Sequence, residues 1–422
     1  MNISTFRAFR SRNYRLYFSG QSISLIGTWM QRTAVYWLIY VQTHSAFMLG
    51  VAVFATQFPS FLFSPLGGVV SDRYNRYKVM MVTQIASLIQ ATLLVVLVVF
   101  TQYHVWEIFA LSAILGTINA FDIPARQAMV YQMIDTKDDL PNAIALNSSM
   151  VNLARLIGPA LSGVILETLG AGTCFLINAL SFVAVIVCLL LMKFPQFIPH
   201  PDNKKVFREF KEGWVYLRRT PAIGLIILYL AGVSLLVLPF NTLLPVFAKL
   251  VFKGNASTFG FLNSAIGLGA VAGAIFLASL KPGANLRKIL FINLMILGGA
   301  LILFSHMSIL PVALFFAVLA GFGMMSQATI TNTIIQTSVS VKMRGRAISF
   351  YAMAFFGMQP LGGLLTGTVS HYIGAPNTLL AQGIIALIMA LIFLPILRKG
   401  TIKKGIKRNP IEFSDPVINT NL

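Results

Sequence analysis

Long apolar segments alternate along this chain with short connections, and every second connection is basic. Of the 32 lysine and arginine residues, 28 fall into seven clusters. The clusters occupy residues 7–15, 73–78, 126–137, 193–219, 281–288, 342–346 and 398–408. Because membrane proteins retain lysine and arginine on the cytoplasmic side, this pattern counts the membrane crossings and orients them. Only Lys249 and Lys253 lie in a connection of the opposite set.

Twelve segments approach or exceed the roughly 20 apolar residues that a helix needs to cross a bilayer. The predicted spans are 16–40, 47–70, 79–101, 106–133, 142–168, 173–192, 222–247, 259–280, 288–305, 311–336, 346–370 and 377–397. An even number of crossings leaves both termini on one side, and because both are basic we expect them in the cytoplasm. The topology also explains the net charge of +20, which in a soluble chain would favour a nucleic-acid partner.

One long polar stretch, residues 193–220, divides the chain into two sets of six spans. Its apolar residues recur at spacings of three and four, which places them on one helical face. These residues are Phe207, Phe210, Trp214 and Leu217. The pattern predicts a basic amphipathic helix on the inner leaflet. The predicted units are a six-helix bundle, a linker, a second six-helix bundle and a basic cytoplasmic tail, over residues 1–193, 194–220, 221–398 and 399–422.

The two sets of spans resemble copies of one another. Identical residues recur at a constant offset of 204 positions, which places spans four to six over spans ten to twelve. The matched pairs are Gln132/Gln336, Ala143/Ala347, Ile144/Ile348, Gly158/Gly362, Gly163/Gly367, Gly170/Gly374 and Ala171/Ala375. We therefore predict an all-α membrane protein of twelve transmembrane helices in two pseudo-symmetric bundles, with a site at mid-membrane depth where the bundles meet.

The connection between the second and third spans reads GVVSDRYNRYK over residues 68–78. It resembles the loop motif of the Major Facilitator Superfamily, with one extra tyrosine before the last basic position. The resemblance implies that the loop latches the two halves together in an outward-open state. The implied latch residues are Gly68, Asp72, Arg73 and Arg76. A plain basic cytoplasmic loop is the alternative interpretation, and Gly68 would in either case permit close helix approach.

The fifth span contains Gly158, Pro159 and Gly163, which resemble the antiporter motif of the same superfamily. Such residues allow tight packing and a helix bend. More of the N-terminal half, over about residues 15–195, resembles the drug and siderophore exporters related to the bacterial enterobactin exporter. One departure is that the fourth span lacks the central arginine that many superfamily antiporters are thought to use for proton coupling.

Two arginines, Arg32 and Arg155, lie well inside predicted spans, where a charged side chain is by default a functional hypothesis. Polar neighbours at helical spacing, among them Tyr36 and Asn152, suit an internal cavity better than lipid. We expect the arginines to bind an anionic substrate through bidentate guanidinium bonds. The alternative is that they bond backbone carbonyls or hold two helices together. Further candidate cavity residues are Gln57, Asn241 and Gln359.

Carboxylates are rare, and the spans of the second half contain none. If transport is coupled to protons, the first candidate is Asp122 and the second is Glu167. Asp122 lies one turn from Arg126 and is alternatively a latch residue that pairs with Arg73 or Arg76, so Asp122 and Arg126 join the predicted latch. Glu167 is alternatively a plain charge at the membrane surface.

These features predict a bacterial inner-membrane transporter that exports a small amphiphilic or anionic compound, such as a siderophore or a drug, by alternating access. We expect proton antiport, a monomer, no cofactor and no nucleic-acid partner. The alternatives are uptake or flipping of another solute, such as a lysophospholipid, and a membrane sensor that does not transport. No nucleophile–base pair, metal-ligand cluster or phosphate loop suggests an enzyme.

Overall fold

The computed structural model describes residues 3–194, 206–281 and 283–398. The described chain folds into α-helices with a few short 3₁₀ and π segments and contains no strand. The helices are α1 Arg12–Thr43, α2 Ala46–Arg73, α3 Arg76–Phe100, α4 Val105–Met133, α5 Leu140–Thr168, α6 Ala171–Leu191, α7 Val206–Arg219, α8 Pro221–Leu236, α9 Leu244–Val246, α10 Ala256–Ala278, α11 Leu286–Ser305, α12 Leu310–Ser338, α13 Val341–Ala352, α14 Met358–Ile373 and α15 Ala375–Arg398.

The predicted membrane spans correspond to these helices. Within the described residues, eleven helical segments are long and apolar enough to cross a membrane. The twelfth is α1, whose 32 residues are long enough but include many polar side chains. Two spans are composite, since α8, a 3₁₀ turn, α9 and a π segment form one of them. The other joins α13 to α14 through the π segment Met353–Gly357.

The helices pack as two six-span bundles, so the predicted fold is confirmed. In the N-terminal bundle α1 packs on α5 and α6, α2 on α4, and α3 on α4 and α6. In the C-terminal bundle α10 packs on α12, α11 on α12 and α15, and α8 on α14. The principal contacts between the bundles are those of α2 with α14 and of α5 with α10.

The two ends of the molecule differ in which segments they hold. The terminal face carries the N-terminal 3₁₀ turn and the α4–α5 connection, which are joined by a hydrogen bond from the Asp135 amide to the Ser11 hydroxyl. The opposite or distal face carries the α1–α2 and α3–α4 connections, joined by a hydrogen bond from the Gln42 amide group to the Tyr103 carbonyl. The basic clusters that the structure describes therefore lie at the terminal face, whereas Lys249 and Lys253 lie at the distal face.

Residues 206–219 of the predicted linker form α7, which packs against α8 and α13 of the C-terminal bundle. Its residue Leu217 is buried, and Trp214 contacts the Phe350 ring of α13. Glu212 forms an ion pair of 2.5 Å with Arg346 of the same helix α13. Residues 195–205 and the predicted basic tail at 399–422 lie outside the described residues.

The predicted repeat appears as equivalent helix contacts. Gly158 of α5 approaches α1 at Ile26, and its counterpart Gly362 of α14 approaches α8 at Leu235. Gly170 and Gly374 both adopt a φ of 82° where the following helix begins. This left-handed region favours glycine, so both matches record a shared backbone requirement.

Candidate functional site

The first contact between the bundles is the crossing of α5 and α10, which is built from glycines. A methyl group added at Gly260 would lie 2.5 Å from the carbonyl oxygen of Pro159 and 2.9 Å from the Cα of Gly163. Nearer the middle of α5, the Ser264 hydroxyl donates to the Leu156 carbonyl at 2.7 Å. The two backbones therefore touch directly along the distal half of α5.

The second contact is the crossing of α2 and α14, and it repeats the first. A methyl group added at Gly367 would lie 2.5 Å from the carbonyl oxygen of Ala46 and 3.0 Å from the Cα of Gly50. Gly367 is the repeat counterpart of Gly163. The two bundles thus meet at two equivalent glycine crossings, both on the distal side of mid-membrane depth.

The contact between α2 and α14 continues as far as Phe61, whose ring lies against Gly357. Toward the terminal face, a Cβ added at Gly68 would meet no atom within 4 Å beyond its own helix. Asp72 and Arg73, further along, are exposed. Of the hydrogen bonds between bundles that join described residues, all lie in the distal half of α5 and α10. The bundles are therefore joined at the distal face and part toward the terminal face.

Glu167 connects the bundles at the distal face. It lies at the end of α5, and its two carboxylate oxygens accept hydrogen bonds from the Asn255 amide group and the Ser257 hydroxyl. Asn255 is the N-cap of α10, so the carboxylate lies at the positive end of that helix. Glu167 is also exposed, which leaves it open to the distal solvent.

Arg32 and Arg155 converge on one indole ring. The guanidinium carbon of Arg32 lies 5.2 Å from the Trp29 ring centroid, and that of Arg155 lies 5.3 Å from it. Arg32 also donates from Nε to the Tyr36 hydroxyl at 3.2 Å. A helix carrying Trp29, Arg32 and Tyr36 at intervals of three and four presents all three on one face. Two of the predicted substrate residues, Arg32 of α1 and Arg155 of α5, thus contact the same Trp29 ring.

The position of Arg155 places this cluster at the bundle interface. A methyl group added at Gly267 of α10 would lie 3.0 Å from the Arg155 carbonyl oxygen. Within the described part of the chain, neither Arg32 nor Arg155 has a carboxylate within the 4.0 Å of an ion pair. The Arg155 Nε is buried without a hydrogen-bond partner.

The predicted amide residues lie elsewhere. Asn152 donates to the Ser148 carbonyl of its own helix. Val53 and Phe61 of α2 lie against the α14 side, at Gly363 and Gly357. Gln57 is one helical turn from each of them, so it lies on the same face of α2. Gln359 lies near the start of α14, and Asn241 lies in the 3₁₀ turn that packs on α2 and α14. These three half-buried amides thus belong to the other crossing.

Asp122 is buried within the N-terminal bundle at 5% exposure. Its Oδ1 accepts hydrogen bonds from the Thr83 hydroxyl at 2.9 Å and the Gln84 amide group at 2.8 Å. Its Oδ2 lies 3.5 Å from Nε of Arg126. The predicted pairing of Asp122 with Arg73 or Arg76 is thus absent, because Arg126 on the same helix already supplies the counter-charge.

The loop motif also differs in detail from the prediction. Arg76 lies 4.0 Å from Asp72 within the loop and donates from Nε to the Ser71 carbonyl. Close helix approach is provided by Gly67, which packs on the Ala120 backbone, and Gly68 faces open space. In this arrangement the loop contacts its own bundle only, as expected where the bundles part at the terminal face.

Sequence reasoning missed Trp29, because it is one aromatic residue among many in the spans. Its spacing of three residues before Arg32 was an available signal, whereas its contact with Arg155 was not. The glycines Gly50 and Gly260 were also missed, because their partners on the other bundle are distant in the sequence. Asn255 was missed for the same reason.

The comparison with protein families identifies the chain. Residues 3–422 match the model of a family described as transmembrane secretion effectors. The chain belongs to this family. Its fold and relatives are those of Major Facilitator transporters and not of enzymes. A transmembrane secretion effector of this kind is embedded in the membrane through many apolar helices and carries a small-molecule substrate.

The curated relatives are exporters and transporters of similar length. The chain is 28% identical to the staphyloferrin A transporter of Staphylococcus aureus, over 92% of this chain and 97% of that protein. It is 26% identical to an enterobactin exporter of Escherichia coli, over 91% of each. It is 23% identical to the multidrug efflux pump Tap of Mycolicibacterium fortuitum, over 86% of this chain and 91% of that pump.

Solved structures share the fold at low sequence identity. A bacterial homolog of the human lysosomal transporter Spinster, in an inward-facing and unoccupied conformation, superposes with a TM-score of 0.70 at 15% identity, over 92% of this chain and 97% of that one. The nucleoside transporter NupG gives 0.70 at 14% identity, over 92% and 98%. Both likenesses support the two-bundle architecture.

Proposed function

We propose that this transporter exports a small anionic or amphiphilic compound, of the siderophore or drug class, across the bacterial inner membrane. The observation that carries the proposal is a pair of arginines without a carboxylate partner among the described residues, at the interface of two bundles that part on one side. A charge kept inside a membrane protein without a partner marks a substrate pathway. The export direction is supported by the curated relatives, which include siderophore and drug exporters.

The basic clusters orient the molecule. The distribution of lysine and arginine favours a cytoplasmic terminal face. With that orientation the described conformation opens to the cytoplasm and can load an exported substrate. We propose that the predicted bundles, residues 1–193 and 221–398, rock about the glycine crossings. The transporter acts as a monomer, because each chain holds both bundles.

Proton antiport is the proposed source of energy. Glu167 is exposed to the distal solvent and accepts hydrogen bonds from the other bundle, so it is one candidate for the carboxylate that takes up the proton. Other titratable residues at the distal ends of the neighbouring elements are His44, His104, Glu107, Lys249 and Lys253. Neither of these lysines forms an ion pair with Glu167 within 4.0 Å. Asp122, buried in the terminal half, is the candidate for proton release on the cytoplasmic side.

The latch residues act in the opposite state. When the distal crossings separate, the terminal ends of the bundles approach, and the exposed Asp72 and Arg73 come within reach of the other bundle. In the described state Arg76 and Arg126 form ion pairs within the N-terminal bundle. In the opposite state these arginines exchange those partners for groups on the other bundle.

The direct test is a metabolite comparison of the medium of cells with and without the gene. Export predicts a compound that accumulates in the medium only with the gene and inside the cell without it. The compound is then offered to inside-out vesicles with and without a pH gradient. Uptake that ignores the gradient would refute proton coupling, and loss from the medium in cells with the gene would indicate import.

A further inference from the structure

Two positive charges share one aromatic ring in a region that lies at membrane depth. The guanidinium carbons of Arg32 and Arg155 are 5.2 Å and 5.3 Å from the Trp29 centroid, so the sum of the two distances, 10.5 Å, is the upper limit on their separation. Like charges at this distance repel, and more strongly away from water. The contact with the indole compensates each charge in part.

The protein leaves most of this positive charge without a counter-charge. Every ion pair between described residues joins other side chains, at the terminal face or on the linker helix. A guanidinium has five N–H donors. In the described chain the only hydrogen bond from either group is that of Arg32 to the Tyr36 hydroxyl. The buried Arg155 Nε has no acceptor.

The two arginines come from helices that are held rigidly relative to one another. Gly158 of α5 lies against the Cβ of Trp29, and the Ser162 hydroxyl donates to the Met30 carbonyl at 3.0 Å. These contacts hold the backbones of α1 and α5 together beside the cluster and so limit the spacing of the guanidiniums. A pair of guanidinium forks at limited spacing selects a ligand by the distance between its charges.

We infer that Arg32, Trp29 and Arg155 form a binding site for a ligand with two oxyanion groups, each bonded by one guanidinium. Carboxylates fit best, because their two oxygens match the planar guanidinium fork with parallel hydrogen bonds. Trp29 is a positioning residue that holds both cations and contacts the ligand between its charges. This inference deepens the proposed export function and rests on it for the assignment of the ligand as cargo.

The site is tested on the purified full-length transporter by tryptophan fluorescence. The probes are glutarate, with two carboxylates, butyrate, with one, and the neutral glutaramide. Glutarate is expected to change the emission and to bind at least 10-fold more tightly than butyrate, whereas glutaramide gives no change. Trp29→Phe removes the signal. The matched change Trp106→Phe, at an exposed tryptophan on the distal face, leaves it intact.

The arginine variants separate binding from folding. Arg32→Gln and Arg155→Gln are each expected to weaken glutarate binding by 10-fold or more, and Arg155→Lys to lose less, since it keeps the charge. Thermal unfolding of each variant is recorded alongside, and a variant that does not fold is replaced in the comparison by its lysine counterpart. The inference is overturned if glutarate gives no change with the wild type, or if glutaramide or the folded variants match the wild-type glutarate response. Export in the metabolite comparison without glutarate binding would overturn this site alone and leave the proposed function standing.

Discussion

A single methyl group at the α5–α10 crossing should shift the transporter toward its distal-open state. In Gly260→Ala the added Cβ lies 2.5 Å from the Pro159 carbonyl oxygen, whereas ordinary contact begins at 3.4 Å. It also lies 2.9 Å from the Cα of Gly163. The atoms that it meets are backbone and cannot rotate away, so the helices must separate by about 1 Å, and such overpacking costs about 1–3 kcal/mol.

This cost applies only while the bundles touch at the distal face. The equilibrium between distal-closed and distal-open states should therefore shift by about 5- to 150-fold toward the open state. Gly299→Ala is the matched control, because nothing lies within 4 Å of its added Cβ beyond its own helix. Both changes gain the same helix propensity of about 1 kcal/mol, so that contribution cancels between them.

The shift is measured as a distance distribution between spin labels at Thr168 and Lys253. These residues are exposed and lie on different bundles at the distal face. Gly260→Ala should add a longer-distance population that the parent and Gly299→Ala lack, with a matching loss of transport. An unchanged distribution in a stable Gly260→Ala protein would refute the crossing as a closing contact.

Three further changes test other contacts. Glu167→Gln should add a longer-distance population between the same spin labels, because loss of the carboxylate charge weakens the hydrogen bonds from Asn255 and Ser257 at the distal face. Glu107→Gln should keep the parent distribution, because its carboxylate accepts from the His104 amide within the N-terminal bundle. An unchanged distribution in a stable Glu167→Gln protein would exclude the carboxylate as a closing contact. Asp122→Asn should lower the free energy of unfolding by about 1–3 kcal/mol, because it leaves the half-buried Arg126 without its charge partner. The exposed Asp72→Asn should lower it by less than about 1 kcal/mol. Equal melting temperatures of the two variants would contradict this. Gly374→Ala forces a side chain into the φ 82° region at a cost of about 1–3 kcal/mol, visible as a lower midpoint of thermal unfolding.

The topology could be predicted because hydropathy and charge act through short stretches of chain. Twelve apolar segments and seven basic clusters led directly to the helices, apart from breaks such as the π segment Met353–Gly357 within one span. The repeat was visible for a different reason. Gly163 and Gly367 were matched by offset alone, and the structure shows both at equivalent crossings. A duplicated backbone contact leaves a duplicated glycine in the sequence.

The candidate site was predicted only in part. Arg32 and Arg155 were recognised because an isolated charge in an apolar span is conspicuous, and Tyr36 by its helical spacing from Arg32. The substrate roles of all three stay predictions, as does the proposed proton role of Glu167. Its contact with Asn255 could not be foreseen, since the two residues are 88 positions apart and neither is unusual in its own segment.

The sequence by itself therefore determined the number of membrane spans, the duplication and the two cations within spans, because each depends on residue type at a given place along one helix. The tertiary structure decided that both cations share the Trp29 ring, that Asp122 pairs with Arg126, and that the bundles close at the distal face. Those features depend on how helices from distant parts of the chain cross. The crossings are set by backbone contacts at glycines, whose partners no local pattern identifies.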